Sequence, residues 1–236
     1  MKYIIFNWKS YLNLKETSSL SKLIASFPQS KKHKIISAPN NFFHLLLQKK
    51  YLKNTFAAQN LDLHGLGAST GSLDVSYLKD SKVKYCILGH SEVRSNFKDT
   101  DHIVAKKLNT CISNNITPIV CIGESKSVYK LNKTKKYLKS QIDCIFDKKT
   151  AYKDIIVAYE PLWSIGTGLT PKMSEIDEIS NYLHNICKNY SFKKIKILYG
   201  GSVNLDNISE ILKLQKVNGV LVGSASTKSD FIKYFK

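Results

Sequence analysis

Short apolar runs alternate along the chain with longer segments whose apolar residues recur every three or four positions. The runs cover 3–8, 34–38, 56–60, 83–88, 117–122, 155–159, 195–199 and 219–222. Several are apolar on both phases of a period-two alternation, which predicts parallel strands buried on both faces. Between them, Val104, Leu108, Cys111 and Ile112 share one helical face, as do Ile176, Ile179, Leu183 and Ile186. The apolar stretch 42–47 reads as another helical segment, and Ser174 as an N-cap with Glu175 and Asp177 in the turn it opens. Eight strand-plus-helix units spaced roughly 25–35 residues apart predict a (β/α)8 barrel, class α/β. One domain is expected over residues 1–236, since no linker or low-complexity tract interrupts the alternation. A doubly wound open sheet is the competing architecture, but no GxGxxG turn follows the first run.

In such barrels the chemistry collects at the C-terminal ends of the strands. Polar, glycine-rich and titratable residues stand there: Asn7 and Lys9 after the first run, and Gly89-His90-Ser91-Glu92 after the fourth. Cys121-Ile122-Gly123-Glu124 closes the fifth, Glu160 the sixth, Gly200-Gly201-Ser202 the seventh and Gly223-Ser224 the eighth.

Glu160 follows four apolar or aromatic residues, so it is delivered to the rim of a core. The loop after it begins with the stiff Pro161, carries Trp163 and Ile165, and has Gly166 and Gly168 near its tip. Rigid ends and permissive glycines suit a lid, and a carboxylate beneath a water-excluding lid suits a general base. His90 sits where a strand turns into a helix. Helix N-terminal dipoles disfavour an imidazolium there, which predicts a neutral ring that donates a hydrogen bond. Lys9, beside Asn7, is placed as a clamp for an anionic substrate. The turns at Gly200-Gly201-Ser202-Val203 and Gly223-Ser224-Ala225-Ser226 offer backbone N–H groups to a phosphate dianion.

Charge is the one feature that points elsewhere. The 236 residues hold 36 Lys plus Arg against 18 Asp plus Glu, a formal net charge of +18. Arg94 is the only arginine, so the planar fork that reads base edges is nearly absent. The lysines are spread along the whole chain amid abundant Ile, Asn and Tyr, as AT-rich codon usage would place them. A solvated surface is therefore expected, without a nucleic-acid partner. The five scattered cysteines lack CxxC spacing and are read as reduced thiols, neither disulfides nor metal ligands. No run is long enough for a membrane span, and the N-terminus lacks a signal-peptide layout, so a cytoplasmic location is expected.

The motifs together resemble the triosephosphate isomerase family over nearly the whole chain. They are Asn-Trp-Lys at 7–9, Ala-Gln-Asn at 58–60, Gly-Ala-Ser-Thr-Gly at 67–71 and Tyr-Cys-Ile-Leu-Gly-His-Ser-Glu at 85–92. Pro-Ile-Val-Cys-Ile-Gly-Glu at 118–124, Tyr-Glu-Pro-Leu-Trp-Ser-Ile-Gly-Thr-Gly at 159–168 and Tyr-Gly-Gly-Ser-Val at 199–203 complete the set. The resemblance implies a TIM barrel and an isomerase of glycolysis and gluconeogenesis, interconverting dihydroxyacetone phosphate and D-glyceraldehyde 3-phosphate through an enediol(ate). It implies Glu160 as base, neutral His90 as electrophile, Lys9 with Asn7 as oxyanion and substrate stabilisers, and Glu92 as support for Lys9. Phosphate is implied to bind at the N–H groups of Gly166, Ser202, Gly223 and Ser224, with no metal or organic cofactor. A homodimer is implied in which Thr70 reaches the partner's site. Another phosphate-binding barrel isomerase, or a weakened barrel binding polyanions through its lysines, are the competing readings. The surface lysines are also expected to concentrate a dianionic substrate, an effect that salt weakens.

Four positions depart from the family pattern. Ser224 replaces the second glycine after the eighth strand, and is strained only if its φ is positive. Ser72 and Val93 stand where the family has a Glu and an Arg that pair across the subunit interface. Their joint loss strands no charge but predicts a weaker interface. Phe6 replaces the glycine before Asn-Trp-Lys.

Overall fold

In the computed structural model, which describes residues 1–236, the eight apolar runs form strands. These are β1 (Lys2–Asn7), β2 (His33–Ala38), β3 (Ala57–Ala58), β4 (Tyr85–Leu88), β5 (Thr117–Ile122), β6 (Tyr152–Tyr159), β7 (Phe192–Tyr199) and β8 (Gly219–Val222). Every pairing is parallel, in the order β2-β1-β8-β7-β6-β5-β4-β3. The edge strands β2 and β3 meet through one parallel bridge, Ser37 to Phe56, and the Ser37 N–H donates to the Thr55 carbonyl at 3.0 Å. A nearly closed eight-stranded barrel results, ringed by helices, as the alternation predicts.

The helices are α1 (Leu14–Ala25), α2 (His44–Lys50), α3 (Val75–Asp80), α4 (Ser91–Phe97) and α5 (Asp101–Ser113). They continue with α6 (Lys126–Lys130), α7 (Thr134–Ile145), α8 (Met173–Cys187), α9 (Ile208–Lys213) and α10 (Ser229–Lys233). Side chains cap several of them: Asn13 opens α1 in a reciprocal box with Glu16, and Thr100 and Ser125 accept from backbone N–H groups of α5 and α6. The expected cap at Ser174 is displaced. Helix α8 begins two residues earlier than that cap implies, at Met173, and Glu175 reaches back to accept the Lys172 N–H at 2.8 Å. Strands β6 and β7 also extend three residues before the apolar runs. Those extensions carry exposed Lys153, Asp154, Lys193 and Lys194, held in strand conformation by pairing from Tyr152–Phe192 onward. Hydropathy cannot see a strand whose partner, not its burial, fixes it.

Parallel strands buried on both faces separate two apolar layers. Ile5, Ile36, Ile87, Ile119, Ile156 and Leu221 fill the barrel interior. Ile4, Val120, Val157, Leu108, Ile142 and Leu183 belong to the layer between sheet and helices. Phe6 lies in that outer layer, fully buried, with its ring centroid 6.3 Å from Phe231 on α10 and 5.8 Å from Phe235. The departure from glycine thus fastens the C-terminal helix to β1. Four cysteines are buried and Cys144 is half-buried, all as free thiols.

Candidate active site

Parallel winding brings the expected residues to one end of the barrel. A cavity of about 350 Å³ is lined by Asn7, Lys9, His90 and Glu160 together with Gly166, Ser202, Gly223 and Ser224. Glu92 touches this set through Lys9 and borders a neighbouring cavity of about 640 Å³ that also reaches Asn7 and His90.

Glu160 follows β6 and is 2 % exposed. Its Oε2 accepts the Ser91 N–H at 3.4 Å, and its Oε1 stands 3.6 Å from His90 Nε2. The space it occupies exists because two neighbours lack a side chain. A Cβ on Gly200 would come within 2.9 Å of Glu160 Cγ, and one on Gly123 within 1.7 Å of the Glu160 carbonyl oxygen. The first glycine after β7 therefore makes room for the carboxylate, a task distinct from the phosphate-turn role expected of it.

His90 caps α4, and its Nδ1 accepts the Glu92 N–H at 3.2 Å. An Nδ1 that accepts carries no proton, so the neutral ring holds its proton on Nε2, facing the cavity.

Lys9 adopts φ 48°, a left-handed conformation that is costly for a residue with a side chain. Two hydrogen bonds hold it. Its N–H donates to Asn7 Oδ1 at 3.2 Å, and its carbonyl accepts from Gln59 Nε2 at 2.8 Å. Its Nζ meets Glu92 Oε1 at 2.7 Å, and a Cβ on Gly223 would fall 3.4 Å from its Cε. Glu92 is thus the ion-pair partner of Lys9. Gln59, inside the Ala-Gln-Asn motif, is a second support, one that its place along the chain does not disclose.

The lid loop leaves Glu160 and returns to α8. Gly166 and Gly168 adopt φ 68° and 76° at its exposed tip. Its base is anchored through buried Ser164, whose Oγ donates to the Leu169 carbonyl at 2.6 Å and accepts the Ser202 N–H at 3.1 Å. The Ser202 hydroxyl donates to the Ser164 carbonyl at 2.6 Å. Of the expected phosphate donors, Ser202 is therefore engaged with the lid. Ser224 lies in a short 3-10 turn, 224–227, and its φ is not positive. Serine is accommodated there without left-handed strain.

Three further supports, Glu124, Tyr129 and Arg94, are not evident from the chain alone. Glu124, fully buried, accepts from Tyr159 Oη at 3.1 Å and Trp163 Nε1 at 3.0 Å, and burial raises its carboxyl above the usual range. With Tyr129 stacked 4.4 Å from Trp163, it pins the lid's first turn. Arg94 ties the strand ends: it donates to the Gly89 carbonyl at 2.7 Å, the Cys121 carbonyl at 3.2 Å and Asp101 Oδ1 at 2.8 Å. The signal for Glu124 was its place after β5, and for Arg94 its being the lone arginine. Neither identifies a partner without the fold.

No group of three or more His, Cys, Asp or Glu side chains is arranged to hold a metal ion. No helix is long and apolar enough to cross a membrane.

The family model described as triosephosphate isomerase matches residues 2–236. Curated proteins bearing that name are similar over nearly the full length. One from Buchnera aphidicola subsp. Baizongia pistaciae is 36 % identical, covering 98 % of this chain and 96 % of its own. One from Buchnera aphidicola subsp. Cinara cedri is 39 % identical over 94 % and 92 %. One from Mycoplasma mobile is 35 % identical over 100 % and 99 %.

Proposed function

The chain belongs to the triosephosphate isomerase family, and on that premise we propose that it interconverts dihydroxyacetone phosphate and D-glyceraldehyde 3-phosphate by proton transfer. The observation that carries this reading is the meeting of Glu160 Oε1 and His90 Nε2, 3.6 Å apart, in one cavity with Lys9. Glu160 removes a carbon-bound proton and returns it to the adjacent carbon of an enediol(ate). His90, donating from Nε2, polarises the carbonyl and shuttles a proton between the two oxygens. Lys9 and Asn7 stabilise the developing oxyanion, with Glu92 holding the ammonium in place. The substrate carbonyl itself acidifies the transferred proton, so the scheme calls on no metal or organic cofactor.

Phosphate is held by the N–H groups of Gly166, Ser202, Gly223 and Ser224. Because the Ser202 N–H is given to Ser164 Oγ, substrate binding has to move Ser164, and with it the lid. The same closure draws the Glu160 carboxylate away from the Ser91 N–H and over the substrate, and it excludes water.

We infer a homodimer, with Thr70 of the exposed loop 61–73 entering the 640 Å³ cavity of the partner beside Asn7 and Glu92. Leu66 on that loop and Phe97 on the cavity wall, 69 % and 72 % exposed, add apolar surface there. A fully active monomer in sedimentation at micromolar concentration refutes the dimer. The reaction is assigned to the cytoplasm.

The decisive test is a coupled assay with glyceraldehyde 3-phosphate on the wild type and Glu160→Asp. The substitution retracts the base by about one methylene and should lower kcat by orders of magnitude with the fold intact. Near-native turnover in that variant would remove Glu160 from its role.

A further inference from the structure

Lysines that look evenly scattered along the sequence are unevenly placed in space. All strands run in the same direction, so the segments that precede and begin them share one end of the barrel, opposite the active site. Over 26–35, 51–56, 81–84, 114–117, 146–154, 188–196 and 214–218 these segments hold fourteen lysines and only two carboxylates, Asp147 and Asp154. None of the fourteen takes part in an ion pair. Most are exposed. Asp143 and Asp177 also reach this end, accepting from Tyr190 Oη at 2.6 Å and from the Lys216 N–H at 3.1 Å, so fourteen lysines against four carboxylates leave more than half of the net charge of +18 on the end that catalysis does not use. Codon bias can insert lysine at any exposed position, but it does not by itself leave one end with more than three lysines for each carboxylate.

The charge is a stripe and not a disc. Eleven of the fourteen lysines precede or begin β2, β8, β7 and β6, joined through Lys2 on β1, which are five consecutive neighbours in the sheet. The start of β5, 114–117, has no lysine, and beyond it only Lys53, Lys82 and Lys84 remain. Five strands at about 4.8 Å spacing make an arc of about 20 Å. A duplex carries one negative charge per ~1.7 Å of axis with both strands counted, so a matching length holds on the order of a dozen phosphates, about half of them on the side that faces the arc. The face lacks arginine, and its aromatic residues Tyr152, Tyr190 and Phe192 are buried or half-buried. Base stacking and base-edge reading are therefore not provided. We propose that the N-terminal end of this barrel docks the phosphate backbone of a double-stranded nucleic acid, without sequence preference and independently of the isomerase site. This departs from the expectation drawn from the sequence, because that expectation rested on even spacing along the chain.

The test is fluorescence anisotropy with a labelled DNA duplex of about 20 base pairs across a salt series, on the full protein. Wild type should bind in the micromolar range at about 50 mM salt and weaken steeply as salt rises. Lys32→Glu/Lys193→Glu/Lys194→Glu should weaken binding at least tenfold and flatten the log–log salt slope by about 3, near 0.9 for each phosphate no longer neutralised. Lys106→Glu/Lys133→Glu/Lys136→Glu, with the same net charge but changed on helices α5 and α7 and just before α7, should bind within about threefold of wild type. Isomerase activity should be unchanged in both triples. Equal weakening of the two would overturn the proposal, since total charge and not this face would then act. No binding by wild type at 50 mM salt, or binding to phosphatidylserine vesicles but not to duplex, would also overturn it.

Discussion

Replacing Gly200 by alanine should disable the base without altering any group that performs chemistry. Gly200 does not adopt a left-handed φ, so the backbone accepts alanine and the effect is purely steric. The new Cβ would stand 2.9 Å from Glu160 Cγ and 3.5 Å from Oε1. Carbon atoms prefer about 3.5–4.0 Å, so the carboxylate must move by roughly 0.5–1 Å. Such a displacement of a reacting group costs up to about 100-fold in rate, which corresponds to about 3 kcal/mol. Overpacking of the buried rim should lower stability by about 1 kcal/mol, the small end of its usual range. The measurements are kcat and KM in the coupled assay and Tm by calorimetry. We expect kcat about 10- to 100-fold lower, by the same geometric estimate, with KM nearly unchanged because the phosphate donors are elsewhere. A kcat within about twofold of wild type would refute the reasoning, since the base would then tolerate the crowding. A loss confined to KM would show that the turn acts on phosphate and not on Glu160.

Three other expectations follow from the same geometry. Burial pushes the His44 imidazole down to about 4, while its Nε2 lies 3.0 Å from the Ala57 carbonyl. The unfolded chain therefore takes up a proton first as pH falls, and about 3 kcal/mol of stability should be lost between pH ~6.5 and ~4. Chemical denaturation of His44→Asn should show a flatter profile over that window; identical profiles would dismiss His44 as the cause. Arg94→Lys can satisfy at most part of the three-acceptor clamp, so it should cost about 2 kcal/mol of stability and several-fold in kcat. A variant as stable and active as wild type would show that the strand ends need no clamp. Finally, kcat/KM should change by less than about threefold between about 0.15 M and 0.5 M salt. Most of the excess charge lies about 20 Å from the site, beyond the ~8 Å screening length, so it cannot steer substrate as the net charge suggests. A tenfold fall would show that the distant lysines do attract the substrate.

The strands, three of the ten α-helices and most of the residues that meet in the cavity were readable along the chain. Each is fixed by residues a few positions apart: apolar runs between polar turns, His90 capping its own helix, Asn7 bracing Lys9, glycines at the lid tip. Gln59, Glu124 and Arg94 were not readable as supports, because each acts on residues from other strands. Gly200 looked like a phosphate turn, and only its distance to Glu160 revealed what its missing side chain permits. Ser224 posed a question of strain that one backbone angle answered.

Charge separates the two kinds of information most clearly. The sequence determined how many lysines there are and that arginine is almost missing, and it determined the order of strand, turn and helix. It could not determine that fourteen of the unpaired lysines share one end. Parallel winding returns every strand to the same starting face, so residues dozens of positions apart become neighbours. That adjacency is a property of the closed barrel alone.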